Sequence, residues 1–241
     1  INKLVDEMRI DLAGKADVYT LHHYCKMVLH KKRGEFELKA YLSKIIESDA
    51  TLLDLGLSDF DSKFQRLEEG DAIEFFIKRG EYYGAVCFND CLYRLLSLIR
   101  ADSNHIPTHD LILIDEFQDF NPLEVAIIEA LEQKANIVIV GDDDQAIYAK
   151  REASPEHIRK LWLRTDYEKF NLPYCNRCTE VIVKATKAII EAAQANKNLQ
   201  GRIKKRYECF MEKKVDDSQA FPKIISIQVP LLNAVTKFID K

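Results

Sequence analysis

Four apolar residues in a row, Leu111-Ile-Leu-Ile, break off into Asp115-Glu-Phe-Gln-Asp119. A run this short and this uniform predicts a buried parallel strand. A second run, Ile137-Val-Ile-Val, breaks off in the same way into Gly141-Asp-Asp-Asp-Gln145. Between them, Leu123, Ile127 and Leu131 recur at helical spacing, which predicts a helix over 122–134. Strand, helix, strand makes a βαβ unit with acids at both strand ends. In open α/β sheets, ligands bind outside the carboxyl ends of the strands.

The flanking pattern is mostly helical. Residues 1–30 read as a helix, a short strand around 18–20, and a helix that starts near Leu21. From 31 to 105, apolar residues recur at helical spacing over 35–48, 59–69, 72–78 and 89–100. Gly34, Gly56, Gly70 and Gly80 punctuate these segments, and no strand pair stands out. A second domain is expected from about 166, with a short strand at 170–172 and a helix over 179–193. Thr179 would cap that helix, and Val181, Ile182, Ala185 and Ile189 would share its apolar face. Alternation over 223–229 predicts a further strand, and 231–241 a following helix.

Composition narrows this picture only a little. The 241 residues are 47% hydrophobic and 31% charged, which suits a globular protein with ample core. The formal net charge is −4, so any nucleic-acid binding must use local grooves and not a global basic field. The basic run Arg202-Ile-Lys-Lys-Arg206 reads as a solvated surface stretch. No apolar stretch approaches the ~20 residues of a membrane span, and the expected location is cytoplasmic. Six cysteines are too few for a disulfide scaffold. Cys175 and Cys178 form a C-x-x-C, and Cys87 and Cys91 a looser pair. A zinc or iron–sulfur site needs two such pairs brought together, so thiols in a reducing compartment are the simpler reading.

The two strand ends carry the chemistry. A nucleotide hydrolase needs one carboxylate to hold Mg²⁺ and a second to position or deprotonate the attacking water. Asp115-Glu-Phe-Gln-Asp119 and Val140-Gly-Asp-Asp-Asp-Gln-Ala-Ile-Tyr148 are similar to the DExxQD and VGDxxQSIY motifs of UvrD/Rep-type superfamily 1 DNA helicases. The resemblance continues in family order. Asn2-Lys-Leu-Val-Asp-Glu-Met8 resembles the segment after the family's phosphate loop, and Thr20-Leu-His-His-Tyr-Cys25 its T-x-H motif. Phe88-Asn-Asp-Cys-Leu92 resembles the segment before DExxQD, and Leu172-Pro-Tyr-Cys-Asn-Arg177 the motif L-x-x-N-Y-R.

The resemblance implies an α/β fold: a RecA-like P-loop NTPase parallel sheet with a helical insertion and the start of a second RecA-like domain. Residues 1–30 and 106–165 would belong to the first motor domain, 31–105 to a DNA-gripping helical insertion, and 166–241 to the second domain. By the same resemblance, Asp115 holds Mg²⁺, Glu116 is the general base, Gln145 senses the γ-phosphate and Arg177 is an arginine finger. Gln118 and Asp119 support the site. Thr20 and His22 contact DNA backbone, Tyr148 packs on a base, and Lys150 and Arg151 complete the DNA face. The family places an adenine-stacking aromatic where this chain has Asn176, which leaves Tyr174 as the candidate. An aromatic is also common where this chain has Lys150.

The implied cofactors are ATP and Mg²⁺, and the implied partner is single-stranded or tailed duplex DNA, with 3′ to 5′ movement. No G-x-x-x-x-G-K-[ST] phosphate loop occurs in the sequence. The expectation is therefore an internal part of a longer helicase, inactive by itself. The alternative is a nucleotide-gated DNA sensor in a defence or repair complex with a nuclease or other protein subunit. The helicase-like subunit of the Gabija antiphage system is a candidate of that kind.

Overall fold

The computed structural model describes residues 2–148 and 151–210. Lys150, the expected strand at 223–229 and the expected helix at 231–241 lie outside the described residues. The chain divides into two compact units, Ile1–Leu161 and Trp162–Lys241.

The first unit is built around one helix. In chain order it holds α1 (Asn2–Asp11), α2 (Leu21–Arg33), β1 (Glu37–Leu38), α3 (Leu42–Leu52), α4 (Phe60–Gln65), α5 (Asp71–Tyr82) and β2 (Ala85–Val86). Then follow α6 (Phe88–Ala101), β3 (Leu111–Ile114), α7 (Pro122–Glu132), β4 (Asn136–Ile139) and the start of α8 (Pro155–Leu163). Helix α6 packs against α2, α4 and α7. Its Leu92, Leu95, Leu96 and Ile99 recur at three- and four-residue spacing and are all buried. Phe60, Phe64 and Phe76, from α4 and α5, form an aromatic cluster beside it, with ring centroids 4.9 and 5.1 Å apart. Phe64 also meets Tyr93 of α6 edge-on at 5.2 Å. The expected insertion therefore shares its core with elements on either side of it.

The βαβ unit is present. Strands β3 and β4 pair in parallel, with Leu111 opposite Asn136 and Ile114 opposite Ile139. The Asn121 side chain accepts from the Glu124 N–H at 3.0 Å, and the Glu124 carboxylate accepts from the Asn121 N–H at 3.0 Å. This capping box, with Pro122 in the first turn, fixes where α7 begins. One expectation needs correction: the strands are not buried on both faces. Ile114 is buried, but Leu113 is 66% and Val138 48% exposed, with Leu111 and Val140 on the same face. Among the described residues the sheet has two strands, and it is covered on one side only.

Other boundaries move for physical reasons. Residues 18–20 make no strand; the Val18 carbonyl instead accepts from the Arg9 guanidinium at 2.9 Å. The segment 35–48 does not begin as helix. Gly34 closes α2 with φ of 89°, and Glu37 and Leu38 then pair in parallel with Ala85 and Val86. Two-residue strands carry no periodicity, so the sequence pattern could not show this pair. Helix α4 is shorter than its apolar spacing predicts, and α5 longer.

The second unit contains β5 (Tyr174–Cys175), α9 (Glu180–Ala195) and β6 (Glu208–Cys209), with β5 and β6 paired in parallel. The strand expected at 170–172 lies instead at 174–175. Thr179 occupies the N-cap of α9 but makes no side-chain cap hydrogen bond. Val183, not Ile182 or Ile189, is the buried residue of that helix. No helix among the described residues is long and apolar enough to cross a membrane.

Candidate active site

The site forms where β3 and β4 end side by side. The ladder continues past the regular strands: the Val140 N–H donates to the Ile114 carbonyl at 2.8 Å, and the Phe117 N–H to the Val140 carbonyl at 3.1 Å. This pairing sets Asp115-Glu116 next to Gly141-Asp142. Asp115 and Glu116 are both exposed. Glu116 takes a left-handed conformation, φ 53° and ψ 40°, which costs a non-glycine residue on the order of 1 kcal/mol. Its N–H donates to Asp115 Oδ1 at 2.9 Å, so the turn presents both carboxylates together.

Gln118 ties the two strand ends. It is 1% exposed. Its amide NH₂ donates to Glu116 Oε2 at 2.7 Å, and its Oε1 accepts from the Asp142 N–H at 2.9 Å. Asp142 Oδ2 in turn accepts from the Gln145 amide at 2.9 Å. A chain of hydrogen bonds thus runs from Glu116 through Gln118 and Asp142 to Gln145. Gly141 makes room for it: a Cβ there would fall 2.7 Å from Gln118 Oε1 and 2.7 Å from Ile158 Cδ1. Asp143 is buried and accepts from Arg159 at 2.9 Å, which anchors the acidic turn to α8. Carboxylate oxygens of Asp142, Asp143 and Asp144 lie within 4.8 Å of one another.

A second cluster gathers behind the first. Thr20 caps α2 by accepting from the His23 N–H at 3.2 Å. His22 Nδ1 lies 3.9 Å from Glu124, and its ring meets Phe88 edge-on at 5.9 Å. Burial, with the Arg151 charge second, pushes the His22 pKa down, so its imidazole is neutral near pH 7. Burial pushes the Glu124 carboxyl up, and the nearby Arg151 charge opposes it. Asp119 is also raised by burial and then by Glu116, again against Arg151. One of its oxygens, Oδ1, is buried with no hydrogen-bond partner among the described residues. The Arg151 guanidinium lies 6.0 Å from the centroid of the exposed Tyr148 ring.

The expected residues of the first unit therefore fall into two linked groups. Asp115, Glu116, Gln118 and Gln145 share one hydrogen-bonded edge, and Asp119 joins it to His22 and Arg151. Glu124, Gly141, Asp143 and Arg159 were not singled out from the sequence. The Asn121-Pro-Leu-Glu124 capping pattern was a readable signal for Glu124. Arg159 lies 16 residues from Asp143, and no short motif marks the pair. In the second unit, Tyr174 is exposed and meets Phe210 edge-on at 6.2 Å. Arg177 is exposed in the bend after β5.

Residues 74–166 match the UvrD/REP helicase N-terminal domain. This part of the chain is a UvrD/Rep-like helicase segment. Similar proteins include YjcD of Bacillus subtilis, 37% identical over 125 residues, which is 50% of this chain and 14% of that protein. DNA helicase II of Escherichia coli is 38% identical over 99 residues, 39% of this chain and 13% of the relative. RecB, from the RecBCD enzyme of Mycobacterium tuberculosis, is 35% identical over 72 residues, 27% of this chain and 6% of the relative. The matched stretches thus span only a small part of each relative's length, 14% at most among these three. The UvrD/Rep-like match includes both strand ends, Gln118 and Arg151. Thr20, His22 and Arg177 lie outside 74–166.

Proposed function

We propose that this chain carries part of the hydrolytic machinery of an ATP-dependent DNA helicase or translocase, on a RecA-like sheet. One observation supports the reading above all: the hydrogen-bonded chain from Glu116 through Gln118 and Asp142 to Gln145. It links a carboxylate able to take a proton from water to an amide able to follow a phosphate. A change at one end is felt at the other, because Gln118 is buried and cannot exchange its partners for solvent.

Asp115 and Glu116 offer exposed oxygen donors of the hard type that Mg²⁺ prefers. That ion is commonly held by one or two carboxylates together with substrate phosphates. The residues fit such an ion, with Asp115 as its ligand. When bound, Mg²⁺ would neutralise charge on the phosphate oxygens. Glu116 then acts as the base toward water, and its left-handed turn holds it clear of Asp115. Gln145 suits a sensing role, since a neutral amide changes partner without a large desolvation cost. Arg177 is the proposed arginine finger, and Tyr174 the proposed contact to the base. Thr20, His22, Tyr148 and Arg151 form the proposed face for single-stranded or tailed duplex DNA. The neutral His22 there acts as a hydrogen-bonding group and not as a cation.

The test is ATP hydrolysis by the full-length polypeptide that carries this chain, with and without single-stranded DNA, beside Glu116→Gln. Strand-stimulated turnover that falls by about 10²-fold or more in the variant, with ATP binding retained, is expected for a general base. Normal turnover in Glu116→Gln would sink the assignment. A second reading is a nucleotide-gated DNA sensor within a nuclease-containing complex. The similarity of residues here to an ATP-dependent helicase/nuclease of Latilactobacillus sakei, 36% identical over 76 residues, favours it, as does the unusual Cys175-Asn176 pair. Stable co-elution with a nuclease, and no unwinding of a tailed duplex without it, are the expected signs.

A further inference from the structure

The six cysteines, all within the described residues and none in a disulfide, fall into two chemical classes. In the first unit, Cys25, Cys87 and Cys91 are buried, and burial pushes their thiols up, to about 12 for Cys87 and Cys91. Such thiols are inert. In the second unit, Cys175 and Cys178 are half-buried and reachable from solvent. Cys175 ends β5, the chain bends through Asn176 and Arg177, and Cys178 precedes the N-cap of α9. The Cys178 N–H donates to Cys175 Sγ at 3.4 Å. That bond is the largest influence lowering the Cys175 thiol; the Arg177 N–H, the Cys178 thiol and the Arg177 charge add to it, against burial. Cys209, opposite Cys175 in β6, is buried, and its thiol donates to the Cys178 carbonyl at 3.5 Å. It holds the bend and is turned away from a role as a third sulfur ligand. Among the described residues, no cysteine belongs to a group of three potential metal-ligating atoms within 4.8 Å of one another. The geometry is that of a nucleophilic thiol with a resolving thiol three residues on, and not that of a metal cage.

We propose that Cys175 and Cys178 form a reversible dithiol–disulfide site that reacts with low-molecular-weight disulfides, and that its closure restrains Arg177 between them. The Cys175 thiolate attacks one sulfur of the disulfide RSSR, forming a mixed disulfide and releasing RS⁻. The Cys178 thiolate then attacks Cys175 Sγ, closing the Cys175–Cys178 bond and releasing a second RS⁻. Two electrons pass from the protein dithiol to RSSR, and the two thiol protons leave with the two RS⁻ as RSH. Closure ties the ends of a four-residue loop that contains Arg177. The disulfide site is independent of the helicase reading; only its consequence for turnover rests on that reading.

The test is intact-mass analysis and peptide mapping of the full-length polypeptide across ratios of reduced to oxidised glutathione. The wild type and Cys209→Ala should form a bond mapped to Cys175 and Cys178, reversed by dithiothreitol. Cys178→Ser should stall as a glutathione adduct on Cys175, and Cys175→Ser should react about tenfold more slowly or less. A bond that requires Cys209, a retained zinc ion that blocks oxidation, or no Cys175–Cys178 bond at any ratio would each overturn the site. Strand-stimulated ATP turnover should drop about tenfold on closure and return on reduction. Unchanged turnover in protein shown by mass to be closed overturns the Arg177 clause. No turnover in the reduced wild type counts against the helicase reading instead, and leaves a mapped disulfide intact.

Discussion

Gly141 shows how much one missing side chain can decide. It stands at the end of β4, where Gln118 of the neighbouring strand crosses to reach the Asp142 N–H. A Cβ there would meet Gln118 Oε1 and Ile158 Cδ1, both at 2.7 Å. Neither neighbour can yield freely: Gln118 is buried and doubly hydrogen-bonded, and Ile158 is a buried residue of α8. Gly141→Ala should therefore destabilise the first unit by about 1–3 kcal/mol through overpacking. It should also lower ATP turnover in the full-length polypeptide more than it weakens ATP binding. Chemical denaturation and steady-state kinetics check the two effects. A variant as stable and as active as wild type would show that Gln118 does not need this space.

At the scale of the element, α6 carries a titratable charge through the core. Asp90 is fully buried, and its Oδ1 accepts from the Arg94 guanidinium at 2.6 Å, one turn along. Arg94 also donates to Glu81 at 3.2 Å and to the Ile77 carbonyl at 2.9 Å. Even so, burial outweighs the attraction and pushes the Asp90 carboxyl up from 3.8 to about 6. Its other oxygen, Oδ2, has no hydrogen-bond partner among the described residues. The native state thus holds this proton more tightly than the unfolded chain does. Its contribution to stability is fully present below the unfolded value of 3.8 and is lost as pH rises to about 6. Asp90→Asn should flatten that part of the stability curve, while costing about 3 kcal/mol above pH 6 by leaving Arg94 without its nearest carboxylate. Urea titrations at pH 4, 5 and 7 read both effects; an identical slope in the variant would place the proton elsewhere.

For the whole molecule, a net charge of −4 means that DNA cannot be held by a general basic field. On the proposed function, binding rests on a few groups, among them Arg151, whose charge is felt by His22, Asp119 and Glu124. Removing one phosphate contact lowers the salt slope of binding by about one. Arg151→Ala is expected to do so for single-stranded DNA. It should also shift the affinity about equally for different sequences, as read by fluorescence anisotropy over a range of salt. An unchanged slope would remove Arg151 from the DNA face and leave it as a partner of the Asp119–Glu124 cluster alone.

Much of the first unit was legible in the order of residues. An apolar run ending in acids, a helix with an Asn-Pro-x-Glu start, and a second such run specify a βαβ unit, because each signal is local. Asp115, Glu116, Gln118 and Gln145 stood out for the same reason: motif spacing reports residues close in sequence. The two-residue strands β1 and β2, the displaced β5 and the buried face of α9 were not legible. Strands of two residues have no period, and a helix face is chosen by what packs on it. The chain from Glu116 to Gln145, the space at Gly141, the Asp143–Arg159 pair and the environment of Cys175 depend on groups set together by folding. The sequence by itself determined which chemistry is present. Only the tertiary structure decided which groups touch, because burial and hydrogen-bond geometry arise when distant segments meet.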